Sequence, residues 1–344
     1  MSLQYIRTIP SPEHLKALLP LPTAVAARRR EQVETLKNIL SGQDSRMIMI
    51  IGPCSADSEP TVLEYTERLA RVQEQVREKI FVIPRVYTNK PRTTGDGYKG
   101  MMYQPDPHSK PNAFEGIKAI RRMHLRVLSE TGFITADEML YPTYYAFLDD
   151  ILGYVAVGAR SVENQEHRLT VSGLDVPAGM KNGTSGDISM MLNAIHAGQH
   201  PHDFIFRNWE TSSSGNPYTH GILRGGLDPG SGRSIPNYHY EDLVFIAEAY
   251  LKRGFANPAL IVDANHNNSG KHYEQQPRII SEVIHSMKYD STLASLVKGF
   301  MVESYLLPGA QKIGPDQVPG KSITDPCLGW DETERLLFEI ADKL

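Results

Sequence analysis

The sequence predicts an α/β protein whose eight parallel strands close into a (β/α)8 TIM barrel. Two observations lead to this prediction. Short runs rich in β-branched and apolar residues recur along the chain, and amphipathic stretches with helical spacing separate them. This alternation is typical of parallel strands joined by crossover helices. Eight such runs fit a closed barrel better than an open sheet, and 344 residues are enough for one barrel with an extension.

The predicted strands are the runs at residues 47–52, 80–86, 132–139, 155–160, 176–181, 220–226, 260–265 and 299–304. The stretches between them, such as EGIKAIRRMHLRVLSE and YEDLVFIAEAYLKRG, carry apolar residues on one helical face and charges on the other. The Gly-, Pro- and Ser-rich segment 225–239 predicts a long loop after the sixth strand.

Residues 1–46 precede the first predicted strand and contain one helical stretch, TAVAARRREQVETLKNIL. A barrel does not need them, so we assign them to an N-terminal extension that is expected to pack on another subunit. Residues 47–344 then form the catalytic barrel.

Composition excludes several classes of protein. The net charge of -4 lacks the basic excess of a nucleic-acid-binding domain. Two cysteines are too few for a disulfide framework, which fits a reducing compartment. The first residues lack the apolar region of a secretion signal, and no apolar run approaches the ~18 residues of a membrane span. We therefore expect a cytoplasmic protein that binds neither nucleic acid nor membrane.

Polar side chains follow every predicted strand. In parallel barrels the reactive groups lie at the carboxyl ends of the strands and in the loops that follow them. The glycine-rich segment KPRTTGDGYKG (90–100) comes after the second strand and adds further cations. In chain order the candidate residues are Cys54, Arg85, Lys90, Arg92, Lys99, Glu138, Arg160, Lys181, Arg224, His266, Glu303 and Asp325.

Four of these residues are candidate metal ligands. Strands one, seven and eight are neighbours in a closed barrel, and they bring Cys54, His266 and Glu303 together, with Asp325 on the segment after strand eight. Taken alone, Cys54 is more often a small buried residue than a ligand, His266 a polar loop residue, and Glu303 a helix cap or ion-pair partner. No CxxC or HExxH spacing is present in the sequence. Their convergence predicts one divalent metal, and the mixed ligand set does not impose a single ion.

The cations predict an anionic ligand. Four of them, Arg85, Arg160, Lys181 and Arg224, come from strand ends, and the 90–100 segment adds Lys90, Arg92 and Lys99. Cations crowded on one rim repel one another by about 1 kcal/mol per pair at 4 Å in water, and more in a drier cleft. Arginine and lysine also match phosphate and carboxylate oxygens. We expect a multiply anionic ligand, or two of them.

Several motifs carry a family resemblance when taken together and in order. IGPCS, KPRTT, GARSVENQEHR, KNGTSG, ILRGG, ESYLLPGAQ and GKSITDPCLGW, from about residue 47 to the C-terminus, resemble the class I 3-deoxy-D-arabino-heptulosonate 7-phosphate (DAHP) synthases. The resemblance implies a metal-dependent barrel transferase that opens the shikimate pathway of aromatic amino acid biosynthesis. Such an enzyme condenses phosphoenolpyruvate with erythrose 4-phosphate and water to give the heptulosonate and phosphate.

The resemblance also implies residue roles and an assembly. Manganese, iron, cobalt or zinc would bind Cys54, His266, Glu303 and Asp325. Phosphoenolpyruvate would contact Arg85, Lys90, Glu138, Arg160, Lys181 and Arg224, while erythrose 4-phosphate would meet Arg92 and Thr93, with Lys99 nearby. Lys90, Glu138 and Asp325 would take part in catalysis. Regulated relatives are commonly dimers or tetramers, so a homodimer or homotetramer is expected.

The sequence departs from the family pattern in places. Tyr98 stands where tryptophan is expected, and strand seven reads DANHNNSGKH where relatives often have Asp-Phe-Ser-His. Segment 200–220 is shorter than the hairpin that carries much of the aromatic-amino-acid inhibitor site in regulated relatives, and Asp175 stands where a small residue often helps to select the inhibitor. We therefore predict weak or absent inhibition by phenylalanine, tyrosine and tryptophan.

Three other functions stay open at this point. The chain could be a synthase for another 3-deoxy-ulosonate phosphate that uses a different aldose. It could be a Schiff-base aldolase with Lys181 as nucleophile. It could also be a regulatory relative that keeps the pocket without turnover. The KPRT motif and the full set of metal ligands favour the DAHP synthase.

Overall fold

The barrel forms as the sequence predicts. The computed structural model describes residues 2–92 and 95–344. Its main sheet has eight parallel strands: β1 (Met47–Gly52), β2 (Ile80–Pro84), β3 (Ala136–Glu138), β4 (Tyr154–Val157), β5 (Ala178–Lys181), β6 (Thr219–Leu223), β7 (Leu260–Asp263) and β8 (Val297–Glu303). Each predicted run overlaps one of these strands, so the predicted fold class is confirmed.

The first and last strands lie side by side. The hydrogen-bonded order is β2-β1-β8-β7-β6-β5-β4-β3. β1 and β8 pair in parallel from Ile48 with Gly299 to Gly52 with Glu303. This register brings the carboxyl ends of β1, β7 and β8 to one side of the barrel mouth, as the metal-site prediction requires.

The ring closes where β2 meets β3, a contact that we call the seam. It consists of a bridge between Arg85 and Ala136, in which the Val86 amide donates to the Ala136 carbonyl at 2.9 Å. β3 is also shorter than the predicted run of 132–139, because Gly132 ends the preceding helix with φ 81° in the left-handed region and residues 133–135 lead into the strand.

Helices cover the outside of the barrel. Most of them present an apolar face to the sheet and charges to solvent, as the spacing predicts. They are α1 (Pro12–Leu18), α2 (Thr23–Leu40), α3 (Glu59–Val76), α4 (Ala113–Thr131), α5 (Pro142–Tyr145), α6 (Gln165–Ser172), α7 (Ile188–Gln199), α8 (Tyr240–Leu251), α9 (Gln276–Met287), α10 (Ser291–Leu296) and α11 (Trp330–Lys343), with a 3-10 turn at Tyr273–Gln275. Within the part of the chain that the structure describes, no helix is long and apolar enough to cross a membrane.

Among residues 2–92 and 95–344, three short strand pairs lie outside the barrel. His202–Phe206 pairs antiparallel with Trp209–Ser213 to form a hairpin (the 202–213 hairpin), and Leu307–Ala310 pairs with Lys321–Ser322. Gly226–Leu227 pairs antiparallel with Ser234–Ile235 inside the segment predicted as a long loop. The strands of this last pair have two residues each, which is too short to show alternation, so the sequence pattern did not predict them.

The N-terminal extension packs on the barrel of its own chain. Leu15 and Leu36 are fully buried in the main hydrophobic cluster. Arg29 donates from Nε and Nη2 to the Leu152 carbonyl at 2.9 and 2.6 Å. Gln32 donates to the Gly132 carbonyl and accepts from the Ile134 amide at 2.5 and 3.0 Å. These bonds hold α2 against the segments that lead into β3 and β4. A contact of the extension with another subunit stays a prediction.

Candidate active site

A cleft of about 300 Å³ opens at the carboxyl ends of the strands. Most of the predicted site residues line it: Cys54, Arg85, Lys90, Arg92, Glu138, Arg160, Lys181, Arg224, His266 and Asp325. Glu303 lies beneath this surface with 1% of its area exposed. Lys99 is exposed and is not part of the cleft lining, and Thr93 lies outside the described residues.

One side of the cleft, which we call the acidic half, gathers Cys54, Glu303 and Asp325. One ligand atom from each lies within 4.8 Å of the others. The strand register explains this, because Gly52 pairs with Glu303 and Cys54 follows two residues later. The Asp325 amide donates to Cys54 Sγ at 3.4 Å, which holds the segment before α11 against the β1 end. A thiol and two carboxylates form a suitable ligand set for a divalent ion.

The Lys90 ammonium lies among these ligand atoms. Its Nζ is 2.6 Å from Cys54 Sγ and 3.0 Å from Asp325 Oδ2. Burial alone would lower the pKa of Lys90, but the Cys54 sulfur and the carboxylates of Asp325 and Glu303 outweigh it and raise the pKa. A cation therefore occupies the space between the ligands, which supports the fit of this donor set to a metal ion.

Arg85 already has a carboxylate partner. Its Nη2 donates to Glu303 Oε1 at 2.8 Å with both side chains buried, and its guanidinium lies 3.7 Å from the centre of the Tyr87 ring. Asn265 donates to the second Glu303 oxygen at 2.5 Å. Burial raises the pKa of Glu303, but the Arg85 guanidinium reverses this and the pKa is lowered. Glu303 is thus held ionised.

His266 faces the acidic half from β7. Its backbone is in the left-handed region at φ 45°, a strained conformation for histidine. Nδ1 lies 2.7 Å from Asp263 Oδ2, and Nε2 lies 3.8 Å from Glu303 Oε1. His266 is not within 4.8 Å of all three other ligands, yet a carboxylate behind one ring nitrogen is the usual support for a histidine ligand. Burial lowers its pKa, which favours the neutral imidazole that metals bind.

The opposite side, the basic half, is built from Arg160, Lys181 and Arg224. Lys181 is 3% exposed, and its Nζ lies 3.5 Å from Asp263 Oδ2 and 3.9 Å from Glu138 Oε2. These contacts are longer than those of Lys90. Burial lowers the pKa of Lys181, so an anion in the cleft would stabilise its ammonium form.

Gly158 makes room for Glu138. A Cβ at position 158 would lie 2.6 Å from Glu138 Oε1, closer than any real contact allows. The glycine of the GARS motif therefore permits the carboxylate of Glu138 to lie against the β4 end, inside the cleft.

The 90–100 segment folds back on itself. The Lys90 amide donates to the Lys99 carbonyl at 3.1 Å, and Arg92 Nε donates to the Tyr98 carbonyl at 2.8 Å. Tyr98 is only 2% exposed, so its side chain anchors the segment. Lys90 and Arg92 reach the cleft from this loop, whereas Lys99 does not.

Two further residues of the site were not among those that the sequence predicted. Asp263 contacts both Lys181 and His266. Lys271 lies 3.3 Å from Asp325 Oδ1 and has φ 66°. Asp263 ends a buried strand, a signal that strand-end reasoning could have used. Lys271 lies on an irregular loop, and nothing in the sequence indicates that its side chain contacts Asp325.

Comparison with known proteins agrees with this geometry. The model of the DAHP synthetase I family matches residues 25–338. The chain belongs to this family. A phospho-2-dehydro-3-deoxyheptonate aldolase of Escherichia coli, named Trp-sensitive, is 35% identical over 98% of this chain and 95% of its own length. The Tyr-sensitive protein of Salmonella typhimurium is 34% identical over 96% and 91%.

A solved structure shares the fold. Phospho-2-dehydro-3-deoxyheptonate aldolase from Francisella tularensis superposes with a TM-score of 0.91 at 28% identity and covers 99% of this chain and 98% of its own. The family condenses phosphoenolpyruvate with erythrose 4-phosphate in the first step of the shikimate pathway, and dependence on a metal is a general property of the family. This chain is accordingly a transferase of that class.

Proposed function

We propose that this member of the DAHP synthetase I family joins phosphoenolpyruvate to erythrose 4-phosphate with its acidic and basic halves in distinct roles. The observation that carries the proposal is the division of one cleft into a candidate metal group and a wall of cations, of which Lys181 and Arg224 are buried. The two substrates carry roughly four to five negative charges near neutral pH, and the cations offset their repulsion.

Phosphoenolpyruvate spans the two halves. Arg160, Lys181 and Arg224 of the basic half bind its phosphate, and Arg85 and Lys90, which contact the acidic half, bind its carboxylate. Arg92 binds the phosphate of erythrose 4-phosphate, with Thr93 and Lys99 as further predicted contacts. Fixing both reactants in one orientation supplies several kcal/mol of the activation barrier.

Lys90 acts as the general acid. C3 of phosphoenolpyruvate attacks the aldehyde carbon, the aldehyde oxygen gains negative charge, and the Lys90 ammonium donates a proton to it. The raised pKa keeps Lys90 protonated before the reaction. The attack leaves positive charge at C2, where water adds and gives up a proton that restores the Lys90 ammonium. The hemiketal phosphate then collapses: its C–O bond to phosphate breaks, and the hydroxyl proton leaves with the phosphate as the C2 ketone forms. Glu138 orients this water or the departing phosphate.

Cys54, His266, Glu303 and Asp325 hold one divalent metal, and manganese, iron, cobalt and zinc all suit this ligand set. A bound metal supplies Lewis-acid polarisation of the aldehyde oxygen. Asp325 takes part in catalysis through its contact with Lys90 at 3.0 Å, which holds the proton donor beside the metal ligands.

The test is phosphate release from the two substrates. We expect turnover that EDTA abolishes and that added divalent metal restores, with arabinose 5-phosphate unable to replace erythrose 4-phosphate. Turnover with arabinose 5-phosphate alone would assign the chain to another ulosonate synthase. Trapping of Lys181 by borohydride would support the Schiff-base aldolase, and no turnover with any aldose would indicate a regulatory relative.

We further infer that aromatic amino acids inhibit this enzyme weakly or not at all. A separate cavity of about 540 Å³ lies between α1, α6 and the 202–213 hairpin. Asp149, Asp150 and Asp175 all line it, and Lys16, the one lysine of the lining, pairs with Asp149. Asp150 is in turn paired with Arg121, so the charge that repels the carboxylate of an amino acid comes chiefly from Asp175. The names of the relatives describe those proteins as sensitive to tryptophan or tyrosine, and the names do not extend this sensitivity to the present chain.

This second inference is tested by assays at saturating substrates with phenylalanine, tyrosine and tryptophan in turn. Half-inhibition by any of them below about 1 mM would contradict it. The expected homodimer or homotetramer is checked by sedimentation of the same protein, and the cytoplasmic location stays a prediction.

A further inference from the structure

The seam between β2 and β3 has little main-chain pairing, although residues with proposed catalytic roles follow it on both sides. The bridge joins Arg85 to Ala136. Beyond the bridge, the segment after β2 continues to Lys90 and β3 continues to Glu138, and both residues line the cleft. β1, by contrast, pairs along its whole length with its neighbours. The separation of Lys90 from Glu138 therefore depends on contacts other than the strand ladder.

The Asp137 carboxylate takes the place of the missing ladder. Oδ1 accepts from the amides of Thr88 at 2.9 Å and Glu138 at 2.8 Å. Oδ2 accepts from the Thr88 hydroxyl at 2.5 Å and lies 3.2 Å from His124 Nε2. A carboxylate has about four acceptor sites, and here four donors fill them. Asp137 is 3% exposed and Thr88 is fully buried.

His124 ties the outer helix to this carboxylate. It lies on α4, is fully buried, and places Nδ1 2.8 Å from the Thr135 hydroxyl just before β3. With Nε2 donating to Asp137, Nδ1 accepts from Thr135, which fixes the tautomer and the ring. Buried polar networks of this kind are rigid when every member is paired, and the loss of one member leaves the others unsatisfied.

We propose that Asp137, held by His124, is a positioning residue that sets the place of Lys90 relative to Glu138 through Thr88. The inference rests on the roles proposed above for Lys90 and Glu138. Thr88 precedes Lys90 by two residues, and the Glu138 amide donates a hydrogen bond to the Asp137 carboxylate. A displacement of ~1 Å in such groups can cost about 10²-fold in rate.

A matched set of variants separates positioning from simple stabilisation. Thr88→Val keeps the shape of the side chain and removes the hydroxyl, whereas Thr88→Ser keeps the hydroxyl. Asp137→Asn keeps the shape and replaces an acceptor by a donor. The control is Thr66→Val on α3, where a buried threonine hydroxyl donates only to helix carbonyls, those of Val62 and Leu63.

We expect Thr88→Val to lower kcat about 10-fold and Asp137→Asn at least as much, per folded enzyme. KM for phosphoenolpyruvate should rise by a smaller factor than kcat falls, because Arg160, Lys181 and Arg224, which hold its phosphate, lie on other strands. Thr88→Ser should recover kcat to within about threefold of wild type. Thr66→Val should lose thermal stability without losing kcat.

Hydrogen exchange gives a readout that needs no turnover. Amides in peptides covering 86–92 and 138–141 should exchange faster in Thr88→Val and Asp137→Asn, and at the wild-type rate in Thr66→Val. Unchanged exchange, wild-type kcat in both seam variants, or failure of Thr88→Ser to recover kcat overturns the proposal. An inactive wild-type enzyme would refute the proposed function, and exchange alone would then decide whether Asp137 holds the segment.

Discussion

The two halves of the cleft differ in how their charges are balanced. In the acidic half, Glu303 and Asp325 have short contacts with Arg85 and Lys90, at 2.8 and 3.0 Å. In the basic half, Lys181 has only the longer contacts of 3.5 and 3.9 Å among its ion pairs. The acidic half is thus neutralised by the protein itself, whereas Lys181 in the basic half would gain a closer partner when an anion binds. This difference supports the proposal that one half holds a fixed charge and the other receives substrate.

The largest effect is expected when the link between the acidic half and the proton donor is broken. Lys90→Met should lower kcat about 10³-fold, because it removes the general acid and leaves Cys54 and Asp325 without their cation. The measurement is phosphate release at saturating substrates. Lys118→Met, which removes a surface lysine paired with Glu115, is the control. Retention of a tenth of the activity in Lys90→Met would contradict the assignment.

The basic half is tested by Lys181→Gln. We expect KM for phosphoenolpyruvate to rise about 50-fold, the equivalent of one charge-assisted hydrogen bond to phosphate. KM for erythrose 4-phosphate should change by less than about threefold. Initial rates with each substrate varied in turn provide the measurement, and an equal rise in both KM values would show that the halves are not separate.

Asp263 connects the two halves and should affect them in opposite directions. Asp263→Asn removes the charge behind His266, so the free metal concentration for half-maximal activity should rise about 10-fold. Lys181 loses a competing carboxylate, so KM for phosphoenolpyruvate should stay the same or fall. Metal titrations at fixed substrate, followed by substrate titrations at saturating metal, separate the two effects. A large rise in KM for phosphoenolpyruvate would contradict the claim that Asp263 competes with the substrate for Lys181.

The smallest effect concerns Asp57, a carboxylate whose side-chain partner is a neutral hydroxyl, that of Tyr305, at 3.1 Å. Burial raises its pKa to about 6 from 3.8. The folded state then binds the proton more tightly than the unfolded chain, so this contribution to stability is present below pH 3.8 and is lost as the pH rises through 6. Asp57→Asn should therefore stabilise the protein by about 1–3 kcal/mol at pH 8 and by little at pH 4.5. Urea unfolding at both pH values is the measurement, and equal gains at the two would refute the pKa assignment.

Sequence periodicity was sufficient for the barrel because each strand is a short buried run followed by a polar residue, and each helix has one apolar face. Strand ends gave most of the cleft for the same reason: β1 ends near Cys54, β5 ends at Lys181 and β8 ends at Glu303. Parallel strands place all of these ends on one side.

The missed features depend on side chains that meet across the fold. The sequence placed Arg85 among cations awaiting an anion, but the structure pairs it with Glu303, 218 residues later. It did not show that Lys90 reaches Cys54, that Lys99 is absent from the cleft lining, or that Asp137 accepts hydrogen bonds at the seam. Such contacts follow from rotamers and loop paths, which local periodicity does not encode.

The bonds of α2 to the barrel have a consequence for the order in which the molecule assembles. Arg29 and Gln32 leave the ribosome early, but their partners at Leu152 and Ile134 follow 123 and 102 residues later. Helix α2 can therefore pack against β1 and α4 before these hydrogen bonds form, but it lacks their acceptors until β3 and the start of β4 exist. The late bonds then fasten this side of the newly made barrel.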